Sequence, residues 1–375
     1  MTSPRLRELI PALGPFQDPQ NTFGRFLEEK WTAVCEGLGI AGPQTAPVLE
    51  ELREVLRPWG ERAVGTGCEP ASFVSADGFP AELSVSWKAG RPEVRILFES
   101  LGAERTPLGC QEAGRELTRR LAGRPGASIG RYLDVEDLFV TPDPAPGRPT
   151  VWHSLAWQPG ERPHYKVYLN PQAHGAQHTH EVMEQAMHRL GLAQAWEPVG
   201  RRTAELARRG HELEFFALDL DGASASRVKV YFRHHPMEMA ELDAVAALSH
   251  RHDPARAARA RAVLYGRERG AVANEPMTCL AFRQGAAGPE EANLYLRLPG
   301  NAANDAEARA RIAQLMRLEG IDPRPHAEVV QRLTAGLAPG ESAVQELCSY
   351  RTLAPGRAAD IGLYLRFNAY AAQPA

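Results

Sequence analysis

Two short strands followed by a helix recur along the chain, and this repeat constrains the fold more than any other feature. The strand pairs, in order, are AELSVSW with EVRILFES, TVWHSLAW with YKVYLNP, FFALDL with RVKVYFRHHP, MTCLAF with NLYLRLP, and LCSYRTL with IGLYLRF. Their Val, Leu, Phe and Tyr content and the turn residues between them read as hairpins. Helical stretches follow the first four pairs, at 110–121, 180–190, 238–248 and 305–318. A helical leader at 23–57 precedes the first pair; Phe23, Phe26, Leu27, Trp31 and Val34 recur there at helical spacing, and Pro43 and Pro47 open its second helix. Ten antiparallel strands need either an open sheet or a closed barrel, and closure removes the exposed edges. Helices between hairpins pack most simply outside such a barrel, which leaves the interior for another purpose.

The second strand of each pair alternates with period two, placing chosen residues on one face. Lys166 and Tyr168 alternate in YKVYLNP, and Arg227, Lys229 and Tyr231 in RVKVYF. Asn293, Tyr295 and Arg297 share a face in NLYLRLP, Tyr364 sits centrally in IGLYLRF, and Arg95 lies in EVRILFES. The residues between them are apolar. An ordinary half-buried strand also alternates, with its polar face in water. Here a cation followed two residues later by Tyr occurs on two strands, and Tyr recurs on four. If helices cover the apolar face, the Lys, Arg and Tyr face must line the lumen. The four cations carry no evident local carboxylates, and such a group is not left bare in a low-dielectric interior. They imply an anionic ligand of several charges, such as a diphosphate.

Tyrosines among those cations suit one reaction in particular. When an allylic diphosphate ionises, cations stabilise the departing diphosphate by charge-assisted hydrogen bonds, each worth about 1.5–3 kcal/mol. The carbocation left behind is sheltered by aromatic faces, at about 0.5–2 kcal/mol each.

Composition removes other classes. The net charge of −3 over 375 residues provides no global basic field for nucleic acid or anionic lipid. No stretch approaches the roughly 20 apolar residues of a membrane span. The opening MTSPRLRELIPALG lacks an apolar core of secretory length, so a cytoplasmic location is expected. Five scattered cysteines without CxxC suggest neither a disulfide framework nor zinc. His174, His178, His180 and His188 form no HExxH, and no metal is expected. LDVEDLF and LDLDG lack the DDxxD spacing of magnesium-dependent prenyl transfer, and no phosphate-binding glycine motif occurs. His234 and His235 read as rim residues, and the arginines of 256–261 as a solvated face.

From about residue 20 to 370, with KVYLNP, RVKVYF, LYLRLP and YLRF in order, the chain resembles the dimethylallyltryptophan synthase family of aromatic prenyltransferases, bacterial members especially. The resemblance implies an α+β fold, a closed ten-stranded antiparallel barrel of repeated ααββ units with helices outside, and a single domain over 1–375. It implies transfer of dimethylallyl from dimethylallyl diphosphate, or a longer allylic donor, to an indole-type acceptor, without metal or other cofactor; the sequence leaves monomer or homodimer open. By position, Arg95, Lys166, Arg227 and Lys229 look like the family's diphosphate-binding cations, with Asn293 where members often place Gln. Tyr168, Tyr231, Tyr295 and Tyr364 look like its tyrosine shield, and Glu82 like the acid that accepts the indole N–H.

Two departures matter. Fungal members commonly hold a Lys before KVY, proposed to take the ring proton; this strand reads TVWHSLAW, leaving His153, a water or a base elsewhere. LEFFALDL has no Arg where some tryptophan-specific members hold the amino-acid carboxylate, so an indole in general is a firmer expectation than free tryptophan. A phenolic or tyrosine-like acceptor, or a barrel that binds a lipid or phosphorylated ligand without chemistry, remain the alternatives.

Overall fold

A computed structural model describes residues 20–145, 148–222, 226–335, 344–353 and 356–370. The N-terminal stretch MTSPRLRELIPALG lies outside the described residues. Ten strands make a closed barrel: β1 (Ala81–Lys88), β2 (Arg91–Phe98), β3 (Val151–Trp157), β4 (His164–Leu169), β5 (His211–Asp219), β6 (Val228–His234), β7 (Met277–Phe282), β8 (Glu291–Arg297), β9 (Gln345–Arg351) and β10 (Asp360–Leu365). Each pairs antiparallel with its neighbours in sequence, and β1 closes on β10 from Leu83↔Leu365 to Trp87↔Ile361. Of the two arrangements open to ten strands, closure is the one adopted.

The helices α1 (Phe23–Gly37), α2 (Gly42–Leu56), α3 (Pro107–Leu121), α4 (Thr179–Arg189), α5 (Pro254–Tyr265), α6 (Asp305–Leu318) and α7 (Arg324–Leu333) surround it, with shorter turns between. Polar caps set several starts: Thr22 accepts from Arg25 N at 3.3 Å, Thr106 from Gly109 N at 3.0 Å, and Asn304 from Glu307 N at 3.0 Å. Among the described residues, no helix is long and apolar enough to cross a membrane.

Period-two alternation sorts the strands' side chains into two separate apolar clusters. The outer faces (Leu83, Val85, Ile96, Leu155, Val167, Val230, Leu280, Leu363 among them) join the helices' apolar stripes in one large core. The inner faces form a second cluster of Trp152, Tyr168, Ala217, Tyr231, Cys279, Tyr295, Leu347 and Tyr364.

Three expectations need correction. The helix expected at 238–248 is a 3-10 turn, Met239–Leu242, and one turn of helix, Asp243–Ala246; the long helix of that repeat is the Arg-rich α5. Nor is α5 simply a solvated face: it packs on α6, Arg261 is buried against Asp243 at 2.7 Å, and Arg256 pairs with Glu319. His234 is buried on the outer face of β6, its ring nitrogens 2.8 Å from His211 and 2.8 Å from Thr278; only His235 lies at the rim.

Candidate active site

Four of the inner residues form a belt across the lumen. Ring centroids lie 6.1 Å apart for Tyr168 and Tyr231, 5.8 Å for Tyr231 and Tyr295, and 5.6 Å for Tyr295 and Tyr364. They come from β4, β6, β8 and β10, alternate strands of one meander, which is why a single period-two pattern brings them together. Trp152 of β3 extends the belt, stacked on Tyr168 at 5.7 Å.

The belt divides the lumen. Below it, a cavity of about 410 Å³ is lined by Ser86, Lys88, Arg95, Arg227, Lys229, Asn293, Ser349 and Arg351, with Tyr295 and Tyr364 as its ceiling. Above it lies a larger chamber, about 1040 Å³ including space open at its mouth. Tyr295 and Tyr364 form its floor together with Tyr168 and Tyr231. Leu97, Trp152, Phe215 and Met277 wall it on one side, and Phe73 and Val74 from the loop before β1 also line it. Glu82, Glu346, Arg297 and Arg366 make the opposite arc.

Arg95, Arg227 and Lys229 line the lower cavity and Lys166 stands behind them on Asp219, but the expectation that the four lack carboxylates is wrong. Glu93 takes Arg95 at 2.6 Å and also binds Lys88. Asp219 binds Lys166 and takes Arg227 Nε at 3.0 Å. Both acids share the lumen face with the cations; LDLDG held one of them in plain view. Against the cost of burial, the charges of Lys166, Arg227 and Lys229 hold the Asp219 carboxyl far below its usual range. Lys229 is the exception: it makes no salt bridge among the described residues, and burial, with Lys166 beside it, drives its pKa well down. Period two also points to two cations the sequence reading missed. Lys88 follows Glu82, Ser84 and Ser86 on β1, and Arg351 follows Ser349 on β9, where it pairs with Glu291 and Asp360. Six basic groups thus gather at this end with the carboxylates Glu93, Asp219, Glu291 and Asp360, and Glu291 is shared with Arg283. Asn293 lines the same cavity, its buried Oδ1 without a hydrogen bond among the described residues.

Glu82 opens into the upper chamber at 8% exposure. Burial, reinforced by the Glu346 carboxylate, raises its pKa to about 8 although Arg297 and Arg366 oppose the shift. Glu346, equally buried, is shifted down, because Arg297 bonds it directly and Arg366 lies 3.1 Å away. His153 is not in the site. On β3 the residue facing the lumen is Trp152, and its neighbour His153 points outward, 2.8 Å from Thr118 of α3 and stacked on Phe98. Burial lowers its pKa to about 3, so it stays neutral and out of reach of the chamber.

Of the upper arc, Glu82 was named and Arg297 placed on the face of Tyr295, while Glu346 and Arg366 were missed, although one signal was available. Three of the belt tyrosines are followed two residues later by arginine: Tyr231 by Arg233, Tyr295 by Arg297, Tyr364 by Arg366. Their acidic partners stand at irregularities. The β5 register skips Glu214 between Leu213 and Phe215, and the β9 register skips Glu346 between Gln345 and Leu347. Each extra residue is a buried glutamate bound to arginine, Glu214 to Arg233 and Glu346 to Arg297. Bulges re-aim side chains at barrel rims in this way.

Known proteins share this fold. The 6-dimethylallyltryptophan synthase from Micromonospora olivasterospora, solved with DMASPP and Trp, is 28% identical with a TM-score of 0.83, over 94% of this chain and 99% of that one. PriB, solved with product diphosphate, is 26% identical with a TM-score of 0.82, over 94% and 98%. The 5-dimethylallyltryptophan synthase from Streptomyces coelicolor, at 24% identity and a TM-score of 0.82 over 94% and 99%, has the same fold. The tryptophan dimethylallyltransferase family profile matches residues 55–326, and the chain belongs to that family.

Proposed function

We propose that this protein transfers a dimethylallyl group from dimethylallyl diphosphate to the indole ring of tryptophan or a tryptophan-derived compound, by electrophilic aromatic substitution. The observation that carries this is the tyrosine belt with a cationic cavity on one side and a largely apolar chamber on the other. The donor's diphosphate fits the lower cavity, where Arg95, Lys166, Arg227 and Lys229, with Lys88 and Arg351, offset its charge. Asn293 has an amide suited to a phosphate oxygen. The donor's allylic carbon then lies at the belt.

As the C–O bond breaks, the bonding pair leaves with diphosphate, and the tyrosine faces shelter the cation from water. The indole, held against Trp152 and Leu97 in the upper chamber, donates a ring π pair to form the new C–C bond. Glu82 accepts the indole N–H, which raises ring electron density most when the carboxyl is ionised. Loss of the ring proton restores aromaticity. Six basic side chains gather where the leaving group develops its charge, so turnover is expected to persist in a chelator.

Purified protein incubated with dimethylallyl diphosphate and tryptophan, without added metal, should yield tryptophan heavier by one dimethylallyl group in mass spectrometry. No prenylated product across a panel of indoles and phenols would leave a binding barrel, and product from phenols alone would move the acceptor class.

A further inference from the structure

At the end away from the belt, the upper chamber is lined by Phe73, Val74, Ser75 and Ala76 from the loop before β1, with Pro149 ahead of β3 and Arg233 on β6. The loop is anchored on both sides of Phe73. Ser72 N donates to Gly78 O at 3.0 Å and Ser72 Oγ to the buried Glu99 at 2.6 Å. Asp77 accepts from Phe79 N and from Tyr370 N, both at 3.1 Å. Phe73 itself is half-buried and continues the aromatic wall upward. It meets Phe215 edge-on at 5.8 Å, Phe215 meets Trp152 edge-on at 5.0 Å, and Trp152 stacks on Tyr168. Two guanidinium groups also lie over the Phe73 ring, Arg233 at 5.6 Å and Arg148 at 5.8 Å from its centroid, inside the cation–π range of about 6 Å.

We propose that Phe73 is the roof of the acceptor chamber, held over the bound ring by Arg148 and Arg233, and that Glu214 is the positioning residue that keeps both guanidinium groups against it. The roof keeps water from the dimethylallyl cation. This rests on the indole-prenylating function above and names the residues that seal its chamber.

The pairing of the two arginines favours this assignment over a purely structural one. Glu214, the extra residue of the β5 bulge, is fully buried; it binds Arg233 and stands 3.8 Å from Arg148. Glu275 at 3.2 Å from Arg233 and Gln172 at 2.7 Å from Arg148 complete the setting. Buried ion pairs return little stability, because desolvation offsets their attraction. Here they fix the direction of two flat cations, and both point at one aromatic ring. Contacts of this kind restrain a ring without locking it, which suits a roof that must lift for the acceptor and settle again. A loose roof has a defined consequence. After the donor's C–O bond breaks and its electron pair leaves with diphosphate, a water oxygen that reaches the cation forms a new C–O bond. That water gives up a proton to solvent, and dimethylallyl alcohol results in place of the prenylated indole.

The test supplies dimethylallyl diphosphate and the indole that gives most product, both at saturation, and measures dimethylallyl alcohol released per prenylated acceptor. Phe73→Leu keeps an apolar side chain without a π face and should raise that ratio by about threefold or more over the native protein. Arg148→Gln should raise it about twofold, and Arg148→Lys by less, since an ammonium over the ring keeps part of the attraction. Glu214→Gln loosens both guanidinium groups and should raise the ratio at least as far as Arg148→Gln does. The ratio is taken within each variant, so a loss of folded protein cancels. Donor affinity by calorimetry should stay within about twofold, because these residues lie above the belt. An unchanged ratio in Phe73→Leu would overturn the roof, and a raised ratio there with none in Arg148→Gln would overturn its clamp, the prenylating function standing in both cases. A rise that comes only with weakened donor binding would place the fault below the belt and overturn the proposal as well. No product from the native protein with any indole would remove that function and this inference together.

Discussion

Below the tyrosine belt the charged side chains follow regular period-two alternation; above it two of them, Glu214 and Glu346, stand where β5 and β9 bulge. The lower groups are densely paired, Glu93 with Arg95 and Lys88, Asp219 with Lys166 and Arg227, and leave Lys229 without a salt bridge among the described residues. The upper chamber sets an apolar wall against a charged arc. A diphosphate needs only charge and hydrogen bonds, which regular alternation delivers. An asymmetric aromatic acceptor needs different chemistry on different sides, and that requires local breaks in the alternation.

The largest expected effect separates the two halves directly. Glu82→Gln should lower kcat on indoles by about a hundredfold, a typical weight for a polar group acting on the reacting ring. The donor's dissociation constant should stay within about twofold, because Glu82 lies above the belt and the diphosphate below it. Steady-state kinetics with calorimetry on the same preparation checks both. Unchanged turnover would remove Glu82 from the chemistry, and weakened donor binding would mean the halves are not independent.

Lys229→Ala is the complementary experiment. Losing one charge-assisted contact should weaken donor binding by about 10- to 100-fold. A further signature is available because burial and Lys166 drive the pKa of Lys229 well below the ordinary lysine range in the empty site. Incoming diphosphate favours the ammonium, so donor binding should take up a proton wherever the pH lies between the empty and the occupied pKa. Calorimetry in two buffers of different ionisation enthalpy would register that uptake, and the Ala variant should lose it.

The same division between halves governs how much the sequence reveals. The ten strands and nine of the candidate residues follow from hairpin spacing and period two, since a residue's face is settled by parity along a regular stretch of strand; the choice of a closed barrel and of Glu82 came from the family resemblance. Parity likewise puts Trp152 in the lumen and His153 behind it, which by itself removes His153 as a proton acceptor. Glu93 and Asp219 obey the same parity, but acidic residues near turns read as solvated and so escape notice. Glu214 and Glu346 cannot be placed this way, because each is the extra residue of a bulge and reverses the parity of the strand beyond it. The helix boundary is hidden for another reason: the alternating Ala and Arg of α5 give little contrast between faces, whereas the segment at 238–248 has better-spaced apolar residues.

The pH dependence gives a third way to tell the halves apart. With a pKa raised to about 8, Glu82 is mostly protonated at neutral pH in the empty site. The indole N–H is held better by the carboxylate, so kcat/KM for the acceptor, at saturating donor, should rise about tenfold per unit as pH climbs toward 8 and level off above it. Lys229 acts in the opposite sense, since raising the pH removes the charge that attracts the donor. Acceptor and donor limbs should therefore slope in opposite directions. Glu82→Gln should flatten the acceptor limb alone.

The smallest expected effect falls on the belt itself. Tyr295 lines both cavities, so its hydroxyl and its ring can be separated by substitution. Burial raises its pKa well above the usual tyrosine value, which keeps the hydroxyl protonated and able to donate to a phosphate oxygen. Tyr295→Phe removes that donor and keeps the aromatic face; donor affinity should fall by roughly two- to tenfold, the range of one neutral hydrogen bond, with little change in how the cation is used. Tyr295→Leu removes the face as well. If the ring shelters the cation, the Leu variant should release more dimethylallyl alcohol, the product of water capture, per prenylated acceptor than the Phe variant does. Equal partition between alcohol and prenylated product in the two variants would show that the belt's rings merely fill space and that its hydroxyls do all that matters to the donor.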